Sequence, residues 1–426
     1  QASPLMKIVS RGDTTVVDAY LSPLLKRYVN QVAKGLQNSA NSNCRLLFMQ
    51  SNGGLIAAEH FEGKDSILSG PAGGIVGAVN TAEQAGFDKI ISFDMGGTST
   101  DVAHYAGELE RSFETEVAGV RMRAPMMSIH TVAAGGGSLL FFDGMRYRVG
   151  PESAGANPGP ACYRRGGQLT VTDANLMLGK LPLFPKVFGR QGDLPLDDER
   201  VTDLFTELGQ QIEQATGKQH KPEHVAEGFL KIAIENMANA IKRISVQKGY
   251  NVAEYTLCCY GAAAGQHACQ VADRLAIKRI LVHPFAGVLS AYGMGLADYR
   301  LLKTAALEKN WHAISETDLQ QALAALAVEG SEEMMSQGVG RDNIHCESRI
   351  HLRYLGTDTA LAIDFSDKPA MQGAFEDKYR QQFGFIYPDK PLLIESLEVE
   401  VIGTTQTLAD EIIEAEDVSI LSQELS

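Results

Sequence analysis

Ile90-Ile91-Ser92-Phe93-Asp94-Met95-Gly96-Gly97-Thr98-Ser99-Thr100-Asp101 is the stretch that decides the reading of this chain. Ile90-Ile91-Ser92-Phe93-Asp94, apolar but for Ser92 and the terminal aspartate, predicts a buried strand. The glycine pair predicts a tight turn into a second strand, Asp101-Val102-Ala103-His104-Tyr105. Two strands joined by a glycine turn differ from a Rossmann or P-loop unit, where the glycine loop opens a helix. Phosphate oxygens need several N–H donors converging on one point, and adjacent glycines let a turn aim its amides inward without Cβ clashes. Gly96, Gly97, Thr98, Ser99 and Thr100 are therefore candidate phosphate contacts, with the threonines adding hydroxyl donors. Asp94, at the strand end, is a candidate ligand for hydrated Mg2+. Asp94 and Asp101 together are candidate catalytic carboxylates. The plain alternative is a hairpin turn with ordinary polar residues; the flanking aspartates and the Thr-x-Thr pattern weigh against it.

Further along, Thr131-Val132-Ala133-Ala134-Gly135-Gly136-Gly137-Ser138 offers three glycines and a hydroxyl. Gly135, Gly136, Gly137 and Ser138 make a candidate nest for an anion or a carbonyl oxygen. His130 just before it reads either as a proton carrier or as a satisfied half-buried histidine. Gly261-Ala262-Ala263-Ala264-Gly265 follows an apolar strand and opens a helix. Gly261 and Gly265 there suit a phosphate or an adenosine, or simply close strand–helix packing. Residues 150–163 are rich in glycine and proline, and Thr170-Val171-Thr172-Asp173-Ala174-Asn175 follows. Asp173 reads as a ligand or base, or as the N-cap of a helix over 174–178. No Ser–His–Asp arrangement or metal-ligand spacing stands out, so any hydrolysis would have to draw on ATP.

Around these motifs the chain alternates helix and strand as in a layered α/β sheet. A helix is expected from Asp13, a strand over 46–50, a small-residue helix over 69–85, a long helix near 223–247 and a strand over 255–260. Residues 124–170 read as an ordered loop region with short strands. Composition shifts after about residue 305. A helix near 316–337, strands within 350–365, a helix near 373–383 and a strand over 392–401 predict a small α+β unit there. Three segments follow: 1–88, 89–305 and 306–426.

The chain has 426 residues, 44% hydrophobic and 21% charged, ordinary for a globular protein. No apolar run approaches the roughly 20 residues of a membrane helix, and residues 1–7 do not resemble a signal peptide. The charge of −14, from 38 basic and 52 acidic residues without a basic run, argues against a nucleic-acid partner. Six scattered cysteines form no paired Cys-x-x-Cys sets and suit a reducing cytoplasm. The acidic tail over 410–426 reads as frayed or linker.

Residues 93–102, Ser69-Gly70-Pro71-Ala72-Gly73-Gly74, residues 131–138 and residues 150–163 resemble the hydantoinase A/5-oxoprolinase superfamily, whose order nearly the whole chain follows. Val9-Ser10-Arg11-Gly12, residues 159–167 and Gly265-Gln266-His267-Ala268-Cys269 resemble its 5-oxoprolinase branch rather than its hydantoinase or ketone carboxylase branches. The resemblance implies an actin/hexokinase-like pair of ribonuclease-H-like domains with ATP in the cleft. Residues 1–88 would then be the remainder of the first actin-like domain and 89–305 the second, with residues 94–101 as its second phosphate loop and 261–265 as the adenosine-side bend. It implies cleavage of 5-oxo-L-proline to L-glutamate with ATP, Mg2+ and K+. It also implies partners in an N-terminal phosphate-1 hairpin and a hydantoinase B-like C-terminal half, and allows a homodimer. A hydantoinase or ketone carboxylase subunit is the neighbouring alternative, and a non-catalytic actin-like nucleotide-binding module the alternative outside the enzymes. The family's first Asp-x-Gly-Gly-Thr hairpin is missing upstream of Gln1, and Ala262 and Ala264 stand where the family has glycine. The isolated chain is therefore expected to be weakly active or inactive, with the two methyl groups crowding a nucleotide.

Overall fold

The computed structural model describes residues 8–37, 45–117, 119–181 and 185–404. The readings made for residues 1–7, Cys44 and the tail over 410–426 lie outside them. Among the described residues no helix is long and apolar enough to cross a membrane.

Two sheets organise the chain. The first has five strands in the order Arg279–Leu281, Thr256–Tyr260, Lys89–Met95, Thr100–Ala106, Ile129–Val132. Thr256–Tyr260 runs parallel to both of its neighbours, while Lys89–Met95, Thr100–Ala106 and Ile129–Val132 form an antiparallel meander. Successive side chains on a strand point to opposite faces. Ile91, Phe93, Val102, Leu257 and Cys259 face one core, shared with the helices Val171–Met177, Asp198–Thr216, Pro222–Ile244 and Ala268–Leu275. Ile90, Ala103, Tyr105, Cys258 and Tyr260 face the other, under the helices Ser69–Gln84 and Leu289–Leu296. Those two helices cross at backbone contact: a Cβ on Gly293 would lie 2.0 Å from the Gly73 carbonyl. The small residues of Ser69-Gly70-Pro71-Ala72-Gly73-Gly74 are thus spent on helix packing.

The second sheet has six strands in the order Leu47–Met49, Leu55–Ala57, Tyr299–Asn310, Leu392–Gly403, Ile344–Tyr354, Leu361–Asp364. The helices Glu316–Ser336 and Lys368–Phe383 pack on it. Its central strand starts with Tyr299 beside Leu55 and pairs along its length with Leu392–Gly403. The boundary expected at 305/306 therefore falls inside a strand, and the early hairpin and the C-terminal unit share one sheet. The helix expected from Asp13 begins earlier and is Ile8–Gln37. Thr14 does not cap it but bonds back to the Ser10 carbonyl at 2.7 Å.

Candidate active site

The turn after Lys89–Met95 is closed by the Gly96 N–H, which donates to the Ser99 carbonyl at 3.1 Å. Among the described residues the amides of Gly97, Thr98 and Ser99 make no hydrogen bond within the protein. Gly97 and Thr98 are exposed, and Gly97 has open space where a side chain would go. Three neighbouring N–H groups are thus left for a ligand, which is the arrangement an oxyanion or phosphate needs.

The glycine triplet plays a different part from the one expected. Gly136 and Gly137 donate their N–H groups to the Gly96 and Gly97 carbonyls at 3.1 and 2.6 Å, and Gly135 donates to the Ser138 hydroxyl at 2.9 Å. Their amides are committed, so Gly135, Gly136, Gly137 and Ser138 buttress the turn from behind and do not form a nest of their own. A Cβ on Gly135 would lie 2.6 Å from the Thr98 nitrogen, so only glycine lets the two loops touch. Thr100 is also turned inward: it is buried and donates its hydroxyl to the Ala134 carbonyl. Thr98 is exposed and Ser99 half-buried.

Asp94 and Asp101 stand opposite each other in the hairpin register, and Thr131 stands opposite Asp101 on the next strand. All three share one face of the sheet. Thr131 Oγ1 donates to Asp101 Oδ1 at 2.5 Å. Burial, with the charge of Asp101 adding, pushes the Asp94 carboxyl up to about 6. Burial raises Asp101 too, and the Thr131 hydrogen bond pulls it back.

The second glycine bend closes on the first. Ala263 N–H donates to the Met95 carbonyl at 2.9 Å, and Gly261 N–H to the Ala286 carbonyl at 3.0 Å. Gly261 has a φ of +87°, and a Cβ there would sit 2.3 Å from Asp94 Oδ1. Gly265 is exposed with open space around it. Ala264 points into the core and Ala262 outward, so of the two alanines expected to crowd a ligand only Ala262 faces the open side.

Two expected catalytic residues lie elsewhere. His130 pairs with Val102, one residue out of phase with Asp101, so it projects from the opposite face of the sheet. There burial, and then Arg243, lower its pKa. Asp173 is fully buried and accepts from Ala161 N, Cys162 N, Thr170 N and Thr170 Oγ1 at 2.7–3.1 Å. It completes a capping box with Thr170 and pins the 160–163 turn, which leaves it no free role as a base. The following motif is structural as well: Asn175 bonds Gln266 Oε1 at 2.6 Å and His267 Nε2 at 3.1 Å, joining two helices. Thr131 and Ala286 carry no local signal of their places, which strand register gives for Thr131 and the Gly261 hydrogen bond for Ala286.

A family model described as hydantoinase/oxoprolinase matches residues 11–303. The chain is 40% identical over 420 residues to a 5-oxoprolinase of Dictyostelium discoideum, covering 94% of this chain and 33% of that protein. It is likewise 40% identical to 5-oxoprolinase 1 of Arabidopsis thaliana, covering 98% and 34%. Among solved structures, the ATP-dependent caprolactamase from Pseudomonas jessenii matches with a TM-score of 0.85 at 32% identity, over 95% of this chain and 60% of that one. A nucleotide-free acetone carboxylase, with a TM-score of 0.68 at 23% identity, shares the fold. The chain spans about a third of the length of the curated 5-oxoprolinases it matches.

Proposed function

The chain belongs to the hydantoinase/oxoprolinase family, and from that premise we propose that it supplies the nucleotide-binding part of an ATP-dependent hydrolase opening 5-oxo-L-proline to L-glutamate. One observation carries the proposal: the unbonded amides of Gly97, Thr98 and Ser99 stand at the end of the strand that presents Asp94 beside Asp101. The five-stranded sheet supports reading this part as one ribonuclease-H-like, actin-like half, because its three-strand antiparallel meander is extended by two parallel strands. The names of the relatives favour a lactam: one is a 5-oxoprolinase and another an ATP-dependent caprolactamase.

A five-membered lactam resists hydrolysis because its nitrogen leaves poorly. Transfer of the terminal phosphoryl group of ATP to the ring carbonyl oxygen releases ADP and makes the ring carbon electrophilic. One water then adds to that carbon and the C–N bond breaks, the nitrogen taking a proton and leaving as an amine. The acyl phosphate left behind takes a second water to give a carboxylate and inorganic phosphate. In this scheme the 97–99 amides hold the transferred group's oxygens, and Asp94, on the strand that leads into the turn, is the candidate base.

Mg2+ is implied with ATP, and the residues fit it. Asp94 and Asp101 offer hard oxygen ligands on one face, and phosphates and water would complete the shell this ion prefers. Among the described residues no cluster of three or more His, Cys, Asp or Glu groups offers a protein-only cage. When bound, the ion would offset the phosphate charge. The hydantoinase B-like half and the first phosphate hairpin would be partners within the complete enzyme.

The test is phosphate release by the complete enzyme. Stimulation by 5-oxo-L-proline above that by hydantoin is the expected result. Stimulation by hydantoin alone would move the protein to the neighbouring branch, and none by either would end the enzyme reading.

A further inference from the structure

Asn175 and its partners do more than join two helices. Thr172 and Asn175 lie three residues apart, on one face of the helix Val171–Met177. Thr172 holds the buttress of the phosphate turn. Its N–H and its hydroxyl both donate to the Gly136 carbonyl, at 2.8 and 2.9 Å, and Gly136 N–H donates in turn to the Gly96 carbonyl. Asn175 holds the far end of the second bend. Its Nδ2 donates to Gln266 Oε1 at 2.6 Å and to His267 Nε2 at 3.1 Å, and within the bend Ala263 N–H reaches the Met95 carbonyl. A Cβ on Gly136 would lie 2.8 Å from Thr172 Oγ1 and 3.9 Å from Ala263 Cβ, so helix, buttress and bend meet at one point. Lys180 closes the same end. Its N–H donates to the Asn175 carbonyl at 2.9 Å, and its Nζ to the Gln266 carbonyl at 3.3 Å and to Gln270 Oε1 at 2.7 Å.

For stability alone this contact is a poor choice. Asn175 and His267 are fully buried, yet among the described residues Asn175 Oδ1 and His267 Nδ1 have no hydrogen-bond partner. Turning the amide over and moving the imidazole proton does not help, because one donor and one acceptor are still left over. Each leftover group opposes folding, and two leucines would fill the same space without that loss. What leucines would not supply is direction. Hydrogen bonds fix the helix along and around its axis, where apolar packing lets it slide. Burial, and then Lys180, lower the His267 pKa to about 4, so at neutral pH its ring is uncharged and keeps a nitrogen that can accept.

We propose that the helix Val171–Met177 is a strut that sets the separation between the phosphate turn and the 261–265 bend, with Asn175 and His267 as positioning residues for the nucleotide; the inference rests on the nucleotide reading above. A nucleotide gripped at its phosphates and at its adenosine binds tightly only when the two gripping loops stand at a matching distance. The loops carry little to fix that distance, since glycine and alanine make up 96–97, 133–137 and 261–265. A buried helix bonded to both supplies the measure. Asp173, one position round the helix, bonds the 160–163 turn instead, so its loss leaves both contacts in the molecules that fold.

The complete enzyme carrying Asn175→Leu together with His267→Leu tests the strut. KM for ATP should rise about fivefold, with kcat at saturating ATP within about twofold of the parent. The urea midpoint should stay level or rise, because the leftover polar groups are gone. Thr172→Val loosens the other end and should raise KM for ATP about threefold, and Thr172→Ser should bring it back. Adding Thr172→Val to the leucine pair should raise KM little further, since the helix is already loose. An unchanged KM for ATP in either the leucine pair or Thr172→Val would overturn the inference. So would effects that multiply in the combined variant, since each end would then act on its own loop. Thr172→Val and Thr172→Ser decide the matter if the leucine pair fails to fold. A parent enzyme that takes up no ATP in a calorimetric titration would end the nucleotide reading itself, a result read before any variant is made.

Discussion

Thr131 donates its hydroxyl proton to Asp101, and Asp101 stands directly across the hairpin from Asp94. This row gives two neighbouring carboxylates unequal surroundings, one hydrogen-bonded and one not. In the complete enzyme, Asp94→Asn is expected to lower lactam-stimulated phosphate release by about a hundredfold or more. Thr131→Val should lower it by roughly tenfold and Thr131→Ser should restore most of the loss. Equal activity in Asp94→Asn and parent enzyme would remove Asp94 from the chemistry.

Gly261→Ala introduces a methyl group where Asp94 Oδ1 would be 2.3 Å away and the Met95 backbone 2.7–2.9 Å away, at a φ of +87°. Backbone strain and displacement of the carboxylate should together cost about 2–3 kcal/mol and weaken nucleotide binding. Gly265→Ala, in open space with no positive φ, serves as the control. Calorimetric ATP titration and a urea midpoint on both variants check the contrast.

Asp173→Ala leaves three backbone N–H groups and a hydroxyl without their shared acceptor in a buried site. A stability loss of about 2–4 kcal/mol is expected, read as a lower urea midpoint. The folded fraction should keep its affinity for ATP. A large loss of turnover with unchanged stability would return Asp173 to the list of catalytic candidates.

Glu400 is buried between Arg111 and Arg300, at 2.6–2.8 Å from both. Burial works against its charge, but the two arginines outweigh that and hold its carboxyl at about 2. A folded pKa below the unfolded value stabilises the native state at neutral pH, and this contribution fades as pH falls from about 4.5 toward 2. It amounts to about 3 kcal/mol. Glu400→Gln should lower stability at pH 7 and flatten its pH dependence across that window, as followed by denaturant unfolding at a series of pH values.

The strand over 90–94 and its glycine turn are legible because Ile90, Ile91 and Phe93 followed by paired glycines leave few alternatives. The helix Asp198–Thr216 lies outside the elements expected above, although Val201, Phe205, Leu208 and Ile212 carry its helical period in the sequence. Strand Tyr299–Asn310 is not legible in the sequence because only Tyr299 and Leu301 in it are buried, so alternation fails along most of its length. His130 illustrates a harder limit. Whether it joins Asp94 depends on a one-residue register between two strands, which no local pattern specifies. The glycine triplet reads in the sequence as an anion nest, and only three-dimensional contacts assign the amides of Gly136 and Gly137 to the Gly96 and Gly97 carbonyls.

The two sheets also differ in when they can form. Every strand of the sheet carrying Asp94 has been synthesised once Leu281 is made, whereas the other sheet draws its first strand from Leu47–Met49 and its central partner from Leu392–Gly403. During synthesis the first body can close early and cover Met49 and Leu55 of the hairpin at 47–57, while Ile56 on its other face waits for the strands Tyr299–Asn310 and Leu392–Gly403 to emerge. That waiting interval is where a chaperone has most to protect.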